Sequence, residues 1–238
     1  MRIEIVHHVA GAQASRGVAI VIDVFRCCSV AAHALAAGAA RIVPVADVEA
    51  AYALKRALPD AWLIGERYGQ PLPGFDAGNS PTEVRALPLA GRTLIHTTHA
   101  GTQGLEGAAA EVVFTGAFVN LGATIAAVRA LAPPEVWIVA MGHQARERCV
   151  EDDLCAAWLA ARFEASGAVP AAQSEAALRE QLRAAPAAHK FFDPALTWAP
   201  ESDFDACAQL DRVPFAVQRR RDPQLDGRWV LTREVLPA

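Results

Sequence analysis

A chain of 238 residues with a formal net charge of −4 and an isoelectric point near 6.0 has no basic surplus to neutralise a phosphate backbone, which excludes nucleic acid as a partner class. Hydrophobic residues make up 53% and charged residues 20%, which excludes a disordered chain and supplies enough apolar material for one large domain. The five cysteines, Cys27, Cys28, Cys149, Cys155 and Cys207, are odd in number and form no Cys-x-x-Cys pair. That excludes a disulfide framework or structural zinc site and points to a reducing, cytoplasmic setting.

The N-terminal "MRIEIVHHVAG" lacks an apolar stretch ahead of a small-residue cleavage site, and no apolar run is long enough to cross a bilayer, so neither leader nor membrane anchor is expected. Strands are predicted at 2–6, 18–23, 41–45, 61–66, 92–98, 111–116 and 135–142, and helices at 29–37, 47–58, 102–110, 119–131 and 151–164. Within "LPGFDAGNSPTEV" the order Ser80, Pro81, Glu83 reads as a capping box with proline at the first helical position. Past Gly167 the texture changes. An Ala-rich helical stretch bounded by Pro170 and Pro186 precedes a short helix and strand in "DFDACAQLDRVPFAVQRR", and "RWVLTREVL" is a final strand or hairpin partner. The arginine run 219–221 reads as a solvated face. Continuous apolar strands alternating with helices predict a three-layer α/β/α sandwich around a mostly parallel (mixed) sheet. With no linker in the chain, a single domain over 1–238 is expected, in which 167–238 is a C-terminal extension.

Ligands of parallel α/β sheets bind beyond the carboxyl ends of the strands, and there the polar residues collect. After "VAIVI" comes "DVFRCCS", after "AWLI" comes "GERYG", after "RTLIH" comes "TTHAGTQG", and after "EVWIVAMG" comes "HQARERCVEDD". Each piece alone has a structural use: Asp23 as a helix cap, Glu66–Arg67 as a surface pair, the 151–153 acids as helix-terminal charges. Together they describe a site. The "TTHAGTQG" turn suits an anion held by backbone N–H groups, Arg26 and Arg67 can clamp an anion bidentately, and Asp23, Glu66, Asp152 and Asp153 offer the hard oxygens that Mg²⁺ takes. An anion beside carboxylates implies a metal between them, hence metal-assisted chemistry on a phosphorylated small molecule. Walker, dinucleotide, Asp-x-Asp and Gly-x-Ser-x-Gly signatures are all missing from the sequence. His96 and His99, three apart on a strand, face opposite sides and read as structural or substrate-adjacent, not as a metal pair.

The segments "VIDVFRCCSVAAHALAAGA", "IGERYGQPLPGFDAGNSPTEV", "TTHAGTQGL", "TGAFVN" and "CVEDDLCAAWL" resemble, in this order, the motifs of the 2-phosphosulfolactate phosphatase family, over about residues 18–160 and again at "DFDACAQLDR". Three departures stand out: "DVFRCCS" keeps Ser29 as the one hydroxyl after the arginine, "TTHAGT" has histidine for asparagine and one extra residue, and in "GHQARERCVEDD" the loop before the acidic pair lacks, after Gly142, the glycines usual there. The resemblance implies a cytoplasmic, Mg²⁺-dependent phosphoric monoester hydrolase with an α/β/α fold. It would convert (R)-2-phospho-3-sulfolactate to 3-sulfolactate and phosphate, a step of coenzyme M biosynthesis in methanogens. Asp23, Glu66 and Asp152 or Asp153 would hold the metal, and Arg26, Arg67 and the Gly101–Thr102 amides would neutralise the phosphoryl oxygens. Asn79, Ser80 and Thr98 would line the phosphate site. Water is the expected attacker, with a covalent step on Asp23 or Ser29 left open, as are a homodimer, a different phosphorylated carboxylate as substrate and a non-catalytic anion-binding role.

Overall fold

The computed structural model describes residues 1–164 and 174–234; the predicted boundary at 167, the Pro170 helix end and the last four residues lie outside the described residues. In chain order the elements are β1 (Arg2–His7), α1 (His8–Ala14), β2 (Val18–Ile22), α2 (Cys27–Ala36), β3 (Arg41–Pro44), α3 (Val48–Ala57), β4 (Trp62–Gly65), α4 (Pro81–Ala86) and β5 (Thr93–Thr97). They continue with α5 (Gly101–Gly107), β6 (Val112–Gly116), α6 (Leu121–Ala130), β7 (Glu135–Ala140), α7 (Val150–Glu164), α8 (Glu175–Arg183), a 3-10 segment at Pro186–Phe192, α9 (Glu201–Cys207), β8 (Ala216–Asp222) and β9 (Arg228–Glu234). The predicted strands and helices all form within a few residues of their expected bounds. Helix α1 carries no strong sequence signal; it lies on β1 because Gly11 has no side chain, and a Cβ there would sit 2.9 Å from Val6. The Ser80 cap forms as read, its Oγ accepting from the Glu83 N–H at 3.1 Å, while Glu83 reaches the Gly78 N–H instead of closing the box on Ser80.

The described residues form an α/β fold around one mixed nine-stranded sheet in the order β1-β7-β2-β6-β8-β9-β3-β5-β4. β2 is buried along its whole length, as a strand of β-branched residues covered on both faces should be, and each such Val or Ile contributes about 1.5–3 kcal/mol of burial. One layer packs α1, α2, α4 and α5 through Ala12, Leu35, Val84 and Leu105. The opposite layer packs α6 to α9 through Ile125, Leu159, Leu178 and Phe204. A third cluster sets Ala51 and Leu54 of α3 on Val43, Leu63 and Ile95.

The C-terminal hairpin β8–β9 fills the middle of the sheet, joining a parallel block β1-β7-β2-β6 to a second parallel block β3-β5-β4 through three successive antiparallel pairings. The two blocks therefore run in opposite senses along the ladder. A twist of about 20–25° per neighbouring pair, accumulated over the six pairings from β2 to β4, is large enough to bring strand ends of both blocks to one side. The arginine run on β8 is not uniformly solvated: Arg219 is 4% exposed. Its guanidinium donates to the carbonyls of Leu105, Ala108 and Ala110, closing the end of α5, and lies 4.0 Å over the Trp229 ring.

Candidate active site

A cavity of about 140 Å³ opens where the loops after β2, β4, β5 and β7 meet the segment between α8 and α9. Four buried carboxylates line it: Asp23, Glu66, Glu151 and Asp152. Asp23 directly follows β2, and its Oδ1 accepts from the Cys27 N–H at the start of α2, at 3.1 Å. Gly101 lets α5 come this close, since a Cβ would stand 2.4 Å from that of Cys27 and 2.7 Å from Asp23 Oδ2. Glu66 takes the His99 N–H on Oε1 and the Gly69 N–H on Oε2, both at 2.7 Å. Asp152 takes the Val24 and Gly142 N–H groups, both at 2.8 Å, and so ties α7 to the loops after β2 and β7. Glu151, 4% exposed, keeps Oε2 with no hydrogen-bond partner.

Gathering these acids has an electrostatic cost. Burial, reinforced by the charge of Glu66, pushes the Asp23 carboxyl up to about 6 against the backbone bond from Cys27. Burial, then Asp23 and Glu151, push Asp152 up strongly. Two cations share the cavity. Arg26, 2% exposed, is held by Asp203 at 2.6 Å and by the Trp198 carbonyl at 2.8 Å. Lys190 donates to the Phe25 carbonyl at 3.3 Å, and burial followed by the Arg26 charge lowers its pKa. Asn79 also lines the cavity; its Oδ1 is held at 3.0 Å by His96, a ring that burial drives down to about 3 and so keeps neutral.

Of the residues expected from sequence, the cavity thus brings together Asp23, Arg26, Glu66, Asn79 and Asp152. The others sit outside its lining. Arg67 spends its guanidinium on the Glu66 and Ala46 carbonyls and the Thr97 hydroxyl, stitching strand ends together. Ser29 donates to the Val24 carbonyl, and Ser80 donates to Asp203, the counter-ion of Arg26. Thr98 and Thr102 bond to each other across the turn into α5, where the Thr102 N–H is taken by Thr98 Oγ1, while Gly101 packs on Cys27. Asp153 pairs with Arg148 at 3.0 Å and His7 at 3.7 Å. Cys27 and Cys28, the departure in "DVFRCCS", are fully buried in the core and leave the lining untouched, whereas His99 of "TTHAGT" lines it.

Sequence reasoning missed Glu151, and the signal was present. Glu151 and Asp152 stand one turn before Cys155 and Ala156, which are buried, while Asp153 stands one turn before the exposed Ala157. The lining also contains Lys190, Trp198, Tyr68 and His143, which the sequence did not single out, and His99, which it left as structural or substrate-adjacent. Nothing local announces Lys190 beyond its being one of two lysines in the chain.

The strand-end loops of this α/β fold set buried carboxylates, with hard oxygen donors, against an arginine and a lysine. The chain belongs to the 2-phosphosulpholactate phosphatase family, whose family model matches residues 4–220. Among similar proteins, one from Synechococcus sp. named "Probable 2-phosphosulfolactate phosphatase" is 33% identical over 213 residues, 84% of this chain and 88% of that one. A protein of the same name from Parasynechococcus marenigrum is 38% identical over 225 residues, 85% of this chain and 88% of its own. A third, from Deinococcus radiodurans, is 40% identical over 148 residues, and the match spans 61% of each chain. Among the described residues no helix is long and apolar enough to cross a membrane.

Proposed function

We propose that this chain hydrolyses the phosphate ester of (R)-2-phospho-3-sulfolactate, giving 3-sulfolactate and phosphate, and that it uses Mg²⁺. The observation that carries the reading is the cavity itself, in which four buried carboxylates face Arg26 and Lys190. The donor set fits a hard divalent cation. The unpartnered Glu151 Oε2 and the upward pressure on Asp23 and Asp152 are both relieved by positive charge among them. Asp23, Glu66 and Asp152 would hold the ion, with Glu151 beside them. When bound, it would supply Lewis-acid polarisation of the phosphoryl oxygens.

The chain's own residues do the rest. Arg26 is fixed before substrate arrives, so its guanidinium meets charge developing on the phosphoryl group without reorganising. Lys190 adds a second cation to the same wall and attracts the acid's other negative group. Water attacks in this reading, because the Ser29 hydroxyl is engaged in the core and Asp23 is given to the cation. The test is phosphate release from a panel of phosphorylated sulfonates and carboxylates, before and after EDTA and again after Mg²⁺ is restored, with Asp23→Ala and Arg26→Ala alongside. Metal-dependent release selective for phosphosulfolactate, lost in both variants, is expected. Undiminished release in both variants, or preference for another phospho-acid, overturns the assignment.

A further inference from the structure

Four of the five cysteines are buried; Cys149 alone is part-exposed, and it lines the cavity. It sits immediately before α7, its carbonyl accepting from the Asp153 N–H at 3.1 Å, so it opens the turn that carries Glu151 and Asp152. The Cys149 sulfur and one carboxylate oxygen each from Glu151 and Asp152 lie within 4.8 Å of one another. Ligand atoms on one tetrahedral zinc ion, at bond lengths near 2.3 Å for sulfur and 2.0–2.2 Å for oxygen, stand about 3.5 Å apart. Small side-chain rotations close that gap. A second, independent observation points to a ligand here: Glu151 is 4% exposed, and its Oε2 is buried without a donor.

Sulfur is out of place in a site built only for Mg²⁺, which takes oxygen ligands, and is at home with zinc, cadmium or cobalt. We propose that Cys149, Glu151 and Asp152 form a mixed thiol–carboxylate site that captures a borderline-soft divalent cation of the zinc class. On capture the sulfur–hydrogen bond breaks, its electron pair forms the metal–sulfur bond and the proton passes to solvent, with no change of oxidation state. Because Asp152 also belongs to the proposed Mg²⁺ set, a zinc-class ion held by Cys149 would displace the working ion. The inference rests on the cation-binding part of the proposed function and not on its substrate.

The experiment is titration of the metal-free protein with Co²⁺ and Cd²⁺, followed by sulfur-to-metal charge-transfer absorbance in the near ultraviolet. A band saturating at one ion per chain is expected. Cys149→Ser should lose it while keeping a cooperative melting transition, and Glu151→Gln, which removes a ligand charge, should keep the band at an affinity weaker by more than the about tenfold loss of a merely supporting contact. A wild type without the band, or a band surviving in Cys149→Ser, overturns the proposal. Phosphate release is assayed separately. If it fails while the wild-type band behaves as expected, the substrate reading falls and this site stands.

Discussion

Asp203 holds the cavity's arginine in place, and replacing it with alanine isolates that dependence. Arg26 and Asp203 are 2% and 0% exposed and 2.6 Å apart. The same carboxylate also accepts from the Ser80 hydroxyl at 2.7 Å and the Thr82 N–H at 3.0 Å, so it joins the cap of α4 to the arginine. Removing one partner of a buried ion pair strands the other charge in the interior, a loss of about 3–5 kcal/mol. At about 2–4 °C per kcal/mol for a chain of this size, Asp203→Ala should melt about 6–20 °C lower. The assay is urea unfolding of wild type, Asp203→Leu, Asp203→Ala, Arg26→Met and the pair Arg26→Met with Asp203→Leu, comparing midpoints at unchanged slope. The double variant should recover most of the loss, because neither charge is left buried alone. A single-variant cost below about 1 kcal/mol, typical of an exposed pair, or a double variant as unstable as the sum of its parts, refutes the reasoning.

His96 predicts a pH dependence. Its pKa falls from 6.5 to about 3 on folding, so its contribution is fully present above pH 6.5 and is lost as pH drops toward 3, by up to about 5 kcal/mol at 1.36 kcal/mol per unit. Urea midpoints measured over that window should fall with pH more steeply in wild type than in His96→Gln, and parallel curves would remove His96 as the cause. Gly101→Ala drives a Cβ to 2.4 Å from Cys27, which should cost about 1–3 kcal/mol and lower kcat by displacing Asp23; a stable, fully active variant contradicts that packing. Lys190→Met should raise KM for the anionic substrate through loss of about 1.5–3 kcal/mol of charge-assisted bonding, roughly ten- to a hundredfold, with Lys190→Arg partly restoring it. An unchanged KM would detach Lys190 from substrate binding.

The strands and the layers were legible because they are written locally. "VAIVI" has a β-branched pattern that only a doubly covered strand explains, and the Ser80–Pro81 cap was chemically explicit. The central place of the β8–β9 hairpin was not legible. Its partners, Val113 and Ile42, lie about a hundred and about two hundred residues upstream, and no periodicity names a distant partner. The same limit governed the site. Asp23, Glu66 and Asp152 stand at strand ends or a helix start and could be read in place. The two arginines could not be told apart, because what separates them is Asp203 for Arg26 and the Ala46 carbonyl for Arg67, neither adjacent in sequence. The 151–153 acids were resolvable only by asking which helix face the apolar residues bury.

The charge arrangement then constrains how the site can operate. Arg26 is matched by Asp203, so the four lining carboxylates face one cation without an ion-pair partner among the described residues, Lys190. A phosphate monoester entering such a cavity meets net repulsion, and burial strengthens it by lowering the local dielectric. The carboxylates themselves register the strain, since Asp23 is held near 6 where an exposed aspartate titrates near 3.8. A divalent cation among them reverses the sign of the field that the substrate meets. Under the proposed function, binding of cation and of anion would therefore favour one another, and by linkage each would raise the affinity for the other by the same factor. A cavity of this composition would then take its anion only with the cation in place, and Glu151, buried with an unpartnered Oε2, belongs with the residues that would favour that cation.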